Sequence, residues 1–206
     1  MQIDHVVYGV ADLATAVDEL ADRLGVRAAS GGKHVGRGTH NALLALGGGS
    51  YLEVIAADPD QQPPPGPLPF GLDLVLLPRV VGWACLAPDI ERRVAAAREL
   101  GFDPGDVEAM SRRRPDGSLL EWRLTRHEPD PSRLVVPFLI DWGTSPHPSA
   151  SAPAGVSLVE LRGEHPDPNA VRVKLDALGV SLPLAEGPEP ALVATLDTTR
   201  GRVVLR

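Results

Sequence analysis

The sequence predicts an α+β fold in which βαβββ modules repeat to form a cupped, mostly antiparallel sheet with helices on its outer face. Three observations predict it. Two proline-rich stretches, residues 58–71 and 143–155, break the strand pattern; proline lacks a backbone donor and fixes φ, so neither stretch can continue a sheet ladder. Each segment they separate opens with an apolar strand, followed by an amphipathic helix and a run of short strands. The phrases VADL, APDI and HPDP open three helices, and ELADRLGV, AARELGF and KLDALGV close them.

The first module, residues 1–57, begins with a strand over residues 3–10 and a helix over 13–24. Asp12 is placed to cap that helix, because its carboxylate can accept from the free N–H groups of the first turn, and Gly25 suits the left-handed position after it. A strand starting at Val26 and strands over 41–46 and 51–56 complete the module, with Gly47, Gly48 and Gly49 as a hairpin. A proline-rich linker spans 58–78. The second module, 79–142, reads as strand 80–87, a helix over 90–100 capped by Asp89 and closed by Gly101, then strands over 107–112, 118–126 and 134–142. A linker over 143–155 leads to a third, degenerate module, 156–206: strand 156–162, a helix over 169–178 closed by Gly179, and strands near 181–184, 191–196 and 202–205. Such a module has an open sheet edge until another covers it. The three therefore read as one compact domain, the third either completing a cup within the chain or leaving an edge for a second copy, a homodimer.

With 206 residues, 43% of them apolar, the chain is long enough for a sizeable core and has an ordinary globular composition. A formal net charge of -7 argues against a nucleic-acid partner, which calls for a basic face. No run is long and apolar enough to cross a bilayer, and the stretch after Met1 reads as a strand rather than a signal peptide. The expected setting is therefore cytoplasmic, without membrane or nucleic acid. Cys85, the single cysteine, has no disulfide partner and reads as buried.

The first segment, IDHVVYGVADLATAVDELADRLGV followed by GGKHVGRGTHNALLALGGGSYLEVIA, resembles the glyoxalase-like branch of the vicinal oxygen chelate superfamily, which includes glyoxalase I, extradiol dioxygenases and bleomycin-resistance proteins. The resemblance implies paired βαβββ modules around a cup. It also implies a divalent metal (Zn, Fe, Mn or Ni) held by first-strand and last-strand residues, here His5 and Glu53, on which substrate oxygens chelate. GGKHVGRGTHN resembles the GG-x-H…GT-x-N stretch of that branch, at Gly31, Gly32, His34, Gly38, Thr39 and Asn41, and marks His34, Thr39 and Asn41 as candidate substrate contacts. The second module departs from the pattern: the positions matching His5 fall near Gly82 or Trp83, and its last strand offers only Asp141.

The residues themselves allow these roles. Strand alternation puts His5, Val7 and Gly9 on one face and Val6 and Tyr8 on the other. Imidazole and carboxylate suit a divalent ion with positions open for a bidentate substrate, although a strand histidine also serves as a hydrogen-bonded core residue. Glu53 interrupts the apolar run YLEVIA; if buried it needs a partner, and the candidates are a metal or Arg123. Glu121, Arg123 and Thr125 alternate onto one face, read as the concave one, which makes Arg123 a candidate substrate contact. The loop between His34 and Asn41 is either a turn or a place where backbone meets ligand. Among Trp83, Trp122, Trp142 and Phe138, most belong to the core and one that lines the cup would stack on a flat ligand; Trp142 is the candidate. Arg112, Arg113 and Arg114 read as a solvated hairpin end or, alternatively, an anion pocket. His127, His147 and His165 are expected to be exposed. No nucleophile elbow, P-loop or dinucleotide fingerprint appears, so no organic cofactor is expected. Two functions follow: a metal-dependent lyase, isomerase or dioxygenase in which Glu53 moves a proton, or a metal-free protein that binds a small hydrophobic or aromatic molecule.

Overall fold

The computed structural model describes residues 1–126 and 133–206; the expectation for His127 lies outside the described residues. The first strand, β1 (Ile3–Gly9), carries two faces as its alternation requires: Val6 and Tyr8 enter the main core, while His5 and Val7 turn the other way. Helix α1 (Leu13–Leu24) buries Ala16, Val17, Leu20 and Leu24, one stripe at helical spacing. Full burial of each larger side chain contributes about 1.5–3 kcal/mol. Asp12 caps α1 by accepting from the Thr15 N–H at 2.8 Å, and Gly25 ends it in the left-handed region at φ 74°. Strands β2 (Ala29–His34), β3 (Thr39–Gly47) and β4 (Ser50–Ala57) follow, with Gly47, Gly48 and Gly49 all at positive φ in the β3–β4 turn.

The second module contains β5 (Arg79–Leu86), α2 (Ile90–Glu99), β6 (Asp106–Arg113), β7 (Leu119–Arg126) and β8 (Phe138–Asp141). One local expectation is corrected here. Asp89 precedes α2 with left-handed backbone, φ 58° and ψ 48°, and makes no capping bond; its carboxylate accepts from Arg92 instead.

Together the eight strands close into a barrel in the order β1-β4-β3-β2-β6-β7-β8-β5. Within each module the first strand lies parallel to the last, β1 to β4 and β5 to β8. The modules join twice, antiparallel: β1 along β5, and β2 to β6 through Lys33 opposite Arg113 and His34 opposite Arg112. The open edge of each module is thus covered by the other, and the cup is complete within one chain.

The last segment retains the βαβββ order as β9 (Val156–His165), α3 (Pro168–Leu178), β10 (Leu184–Glu186), β11 (Ala191–Thr198) and β12 (Gly201–Leu205). Its pairing differs. The sheet order is β10-β9-β11-β12, so the first strand is central and pairs in parallel with β10, not with the last strand. This sheet lies outside the barrel, where Leu161, Leu192, Ala194 and Leu196 share one core with α1, α2 and the outward faces of β1 and β5. Among the described residues no helix is long and apolar enough to cross a membrane.

Candidate functional site

Every titratable side chain that lines the cup comes from the first module or from β6. On β1, Ile3 and His5 pair with the adjacent Cys85 and Ala84, two positions against one, so Asp4 is the extra residue of a bulge. Regular alternation would send Asp4 and His5 to opposite faces; the bulge lets them meet, with His5 Nδ1 2.6 Å from Asp4 Oδ1. The other oxygen, Oδ2, accepts from Trp142 Nε1 and from His147 Nε2, each at 3.0 Å. Asp4 is 1% exposed. Burial works to raise its pKa, but the hydrogen bonds from His147 and His5 outweigh that and hold the carboxyl well below the usual range. An ionised Asp4 can only accept, so His5 carries its proton on Nδ1 and turns Nε2 into the cup. The His5 ring stacks on Tyr51 with centroids 4.7 Å apart.

On β4 alternation brings Tyr51, Glu53 and Ile55 to the inner face. Glu53 Oε2 lies 3.6 Å from His5 Nε2, and Oε1 accepts from Asn41 Nδ2 at 2.6 Å. Asn41 is held at both ends, because its Oδ1 accepts from Arg112 Nη1 at 3.1 Å. His34 Nδ1 meets Thr39 Oγ1 at 2.8 Å, and its Nε2 lies 3.3 Å from Asn41 Nδ2 and 3.5 Å from Glu53 Oε1. Burial pushes the His34 pKa down to about 4, so its ring is neutral at neutral pH, one nitrogen donating and the other accepting.

The glycine-rich stretch now has a physical reading. A Cβ on Gly31 would sit 2.2 Å from Asn41 Oδ1 and 2.5 Å from Arg112 Nη1; the missing side chain is the space in which Arg112 meets Asn41. Gly31, His34, Thr39 and Asn41 thus form one network that fixes Glu53.

The opposite wall, from the second module, is apolar: Met110, Trp122, Leu124, Phe138, Ile140 and Trp142. Phe70, in the linker, has left-handed backbone at φ 59° and lays its ring over Gly82, whose added Cβ would sit 3.2 Å from it. The cup is left with a cavity of about 60 Å3, well below the roughly 300–1,000 Å3 of drug-sized ligand pockets. In this conformation it admits a compact group.

Of the residues singled out from sequence, His5, His34, Thr39, Asn41, Glu53 and Trp142 converge on the cup. Arg123 does not. Trp122 and Leu124 are the inward residues of β7, and Arg123 on the other face pairs with Glu91 and with Asp141 Oδ2 at 2.5 Å; the Glu53–Arg123 pair is not formed. His147, expected to be exposed, is half-buried on Asp4. Arg112 leaves its hairpin neighbours and enters the barrel, 5% exposed. Asp4, Tyr51 and Phe70 had not been singled out as site residues, and Arg112 had been read with Arg113 and Arg114 as a solvated hairpin end or an anion pocket. An acid directly before the strand histidine, and Met110 and Arg112 two apart on one strand, were the available signals.

For a metal, the second module offers Ala84 opposite His5, Gly82 opposite Val7, and Phe138 and Ile140 on its last strand. None is a donor. Among the described residues no group of three or more His, Cys, Asp or Glu is arranged to hold a metal ion, so the donor set does not fit a resident ion and no step below passes through one.

A glyoxalase-like domain model matches residues 3–179. The chain belongs to that family. Among solved structures, a hypothetical protein from Staphylococcus aureus is similar over 99% of this chain and 98% of its own, at 14% identity and a TM-score of 0.62, which shows a shared fold. Methylmalonyl-CoA epimerases from Mycobacterium tuberculosis and Streptomyces coelicolor align over 72% of this chain and 91% and 99% of theirs, at 21% and 16% identity and a TM-score of 0.44 each. No curated protein matches.

Proposed function

We propose that this glyoxalase-like protein binds a small oxygenated metabolite in the cup and moves a proton on it, at carbon next to a carbonyl, as an isomerase or lyase does. The observation that carries the reading is the pair of proton-accepting atoms facing one void, Glu53 Oε2 and His5 Nε2, 3.6 Å apart, each fixed from behind. Asp4 orients His5 and stabilises the imidazolium that forms when it takes a proton; Asn41 holds Glu53 without occupying Oε2. In a water-poor cup, groups held this way need little reorganisation during reaction. Glu53 takes the proton from carbon as the C–H electron pair moves onto the carbonyl oxygen, and the Glu53 carboxyl, now protonated, returns a proton to carbon directly or through His5 Nε2, which becomes imidazolium in passing it on. The donors that the resemblance assigns to a divalent ion, His5 Nε2 and Glu53, are not completed by the second module, and elemental analysis of untagged protein is expected to find no stoichiometric ion.

Exchange in D2O tests the reading. 2-Oxobutanoate, hydroxyacetone and related small carbonyl compounds are incubated with the protein, and loss of the proton signal beside the carbonyl is followed by NMR. Exchange above the buffer rate, abolished by Glu53→Gln, supports it. No exchange with any compound that binds favours the second reading, metal-free binding of a small flat molecule, for which the wall of Trp122, Trp142 and Phe138 speaks; that binding would be indifferent to EDTA.

A further inference from the structure

The cup holds a buried cation that, among the described residues, no carboxylate contacts directly. Arg112 is 5% exposed, and Glu53 reaches it only through Asn41 and by its charge at longer range, whereas the more exposed Arg37, Arg98, Arg123 and Arg162 each meet a carboxylate directly. Its Nη1 is spent on Asn41, and its Nε is buried with no hydrogen-bond partner. What remains is the guanidinium edge made by Nε and Nη2. Two parallel N–H groups on one edge match the two oxygens of a carboxylate. A buried guanidinium N–H left without an acceptor is unfavourable, and here Gly31 clears the space that seats the group.

Arg112 also lies in the wall between two cavities. Beyond it is a second one of about 310 Å3, lined among others by Ser30, Arg114, Asp116 and Ser151. Asp116 faces it with its Oδ1 engaged by the Ser118 N–H and hydroxyl. We propose that Arg112 is an anion anchor and that the ligand of the cup is a small organic acid, its carboxylate on the free edge of Arg112, its reacting carbonyl toward Glu53 and His5. A phosphate, with three oxygens to satisfy, would need more donors than this edge provides. The inference rests on the cup being the ligand site proposed above.

The test uses the full chain with 2-oxobutanoate, its uncharged amide and inorganic phosphate, with binding read by tryptophan fluorescence and by thermal shift. The acid is expected to bind at least tenfold more tightly than the amide. Arg112→Gln should erase that preference, and Arg112→Lys should keep part of it. Equal binding of acid and amide, no binding of the acid, or phosphate competing on equal terms overturns the proposal. If Arg112→Gln fails to fold, the acid–amide comparison on the wild type decides alone. Proton exchange on both acid and amide, without preference, sinks the anchor and spares the proton-transfer reading; preference without exchange does the reverse.

Discussion

Replacing Gly31 by alanine exchanges a hydrogen for a methyl group on the inner wall of the barrel, and the structure says what that methyl strikes. The new Cβ would lie 2.2 Å from Asn41 Oδ1 and 2.5 Å from Arg112 Nη1, so both groups must move and their 3.1 Å bond is lost. A hydrogen bond to a charged group is worth about 1.5–3 kcal/mol, and crowding a packed site costs about 1 kcal/mol more, so Gly31→Ala should destabilise by about 3 kcal/mol. For a chain of this size that lowers Tm by about 6–12 °C. Gly36→Ala is the control: Gly36 has φ +70° and nothing within 4 Å, so an alanine there meets only backbone strain of about 1 kcal/mol. The two variants are compared by urea denaturation and by binding of a carboxylate ligand. Gly31→Ala should lose more stability and also lose binding, because Arg112 is displaced. If it is no worse than Gly36→Ala in both assays, the role given to Gly31 is wrong.

Acid should destabilise the fold through His34. Its folded pKa is about 4 because it is buried, against about 6.5 in an unfolded chain. Above pH 6.5 both states are neutral and nothing changes; as pH falls from 6.5 toward 4 the unfolded state alone takes the proton, and stability drops by up to about 3 kcal/mol. Denaturation midpoints at pH 7.5, 5.5 and 4.5 measure this, and His34→Gln should flatten the dependence. Asp4→Asn removes the charge and turns one of the two oxygens that accept from His5, Trp142 and His147 into a donor; stability should fall by about 3 kcal/mol, and the His5 ring should lose its Nδ1–H preference in 15N NMR. Phe70→Ala should open the mouth of the cup, raising acrylamide quenching of Trp122 and Trp142; quenching equal to the wild type would deny Phe70 its covering role.

The repeats and strand phases of the first module could be read from sequence because local rules act alone there: alternation sends His5 and Glu53 inward, and Asp12 and Gly25 end α1 as their chemistry dictates. Arg123 shows where that reasoning fails. On β7 the sequence LLEWRLTR offers polar residues on one face and apolar ones on the other, and a cup was taken to want the polar face. The barrel takes Trp122 and Leu124 inward instead, because its polar wall comes from the other module. Arg112 and His147 were out of reach for a different reason. Their partners, Asn41 and Asp4, stand 71 and 143 positions away, and the bulge at Asp4 arises from register against β5, which periodicity within β1 does not reveal. The third segment kept its element order but changed its pairing, since strand order in a sheet is decided by the surface it covers.

The central claim is that Glu53 is the proton-moving group of a cup that binds its ligand by other means. The most direct measurement compares wild type and Glu53→Gln on one bound carbonyl compound, with deuterium exchange and affinity determined on the same samples. Exchange should fall at least a hundredfold while affinity changes less than threefold, because Glu53 acts through proton transfer, a contribution of about 10²–10⁴. Equal exchange in the two proteins, or exchange and affinity lost together, would contradict the account.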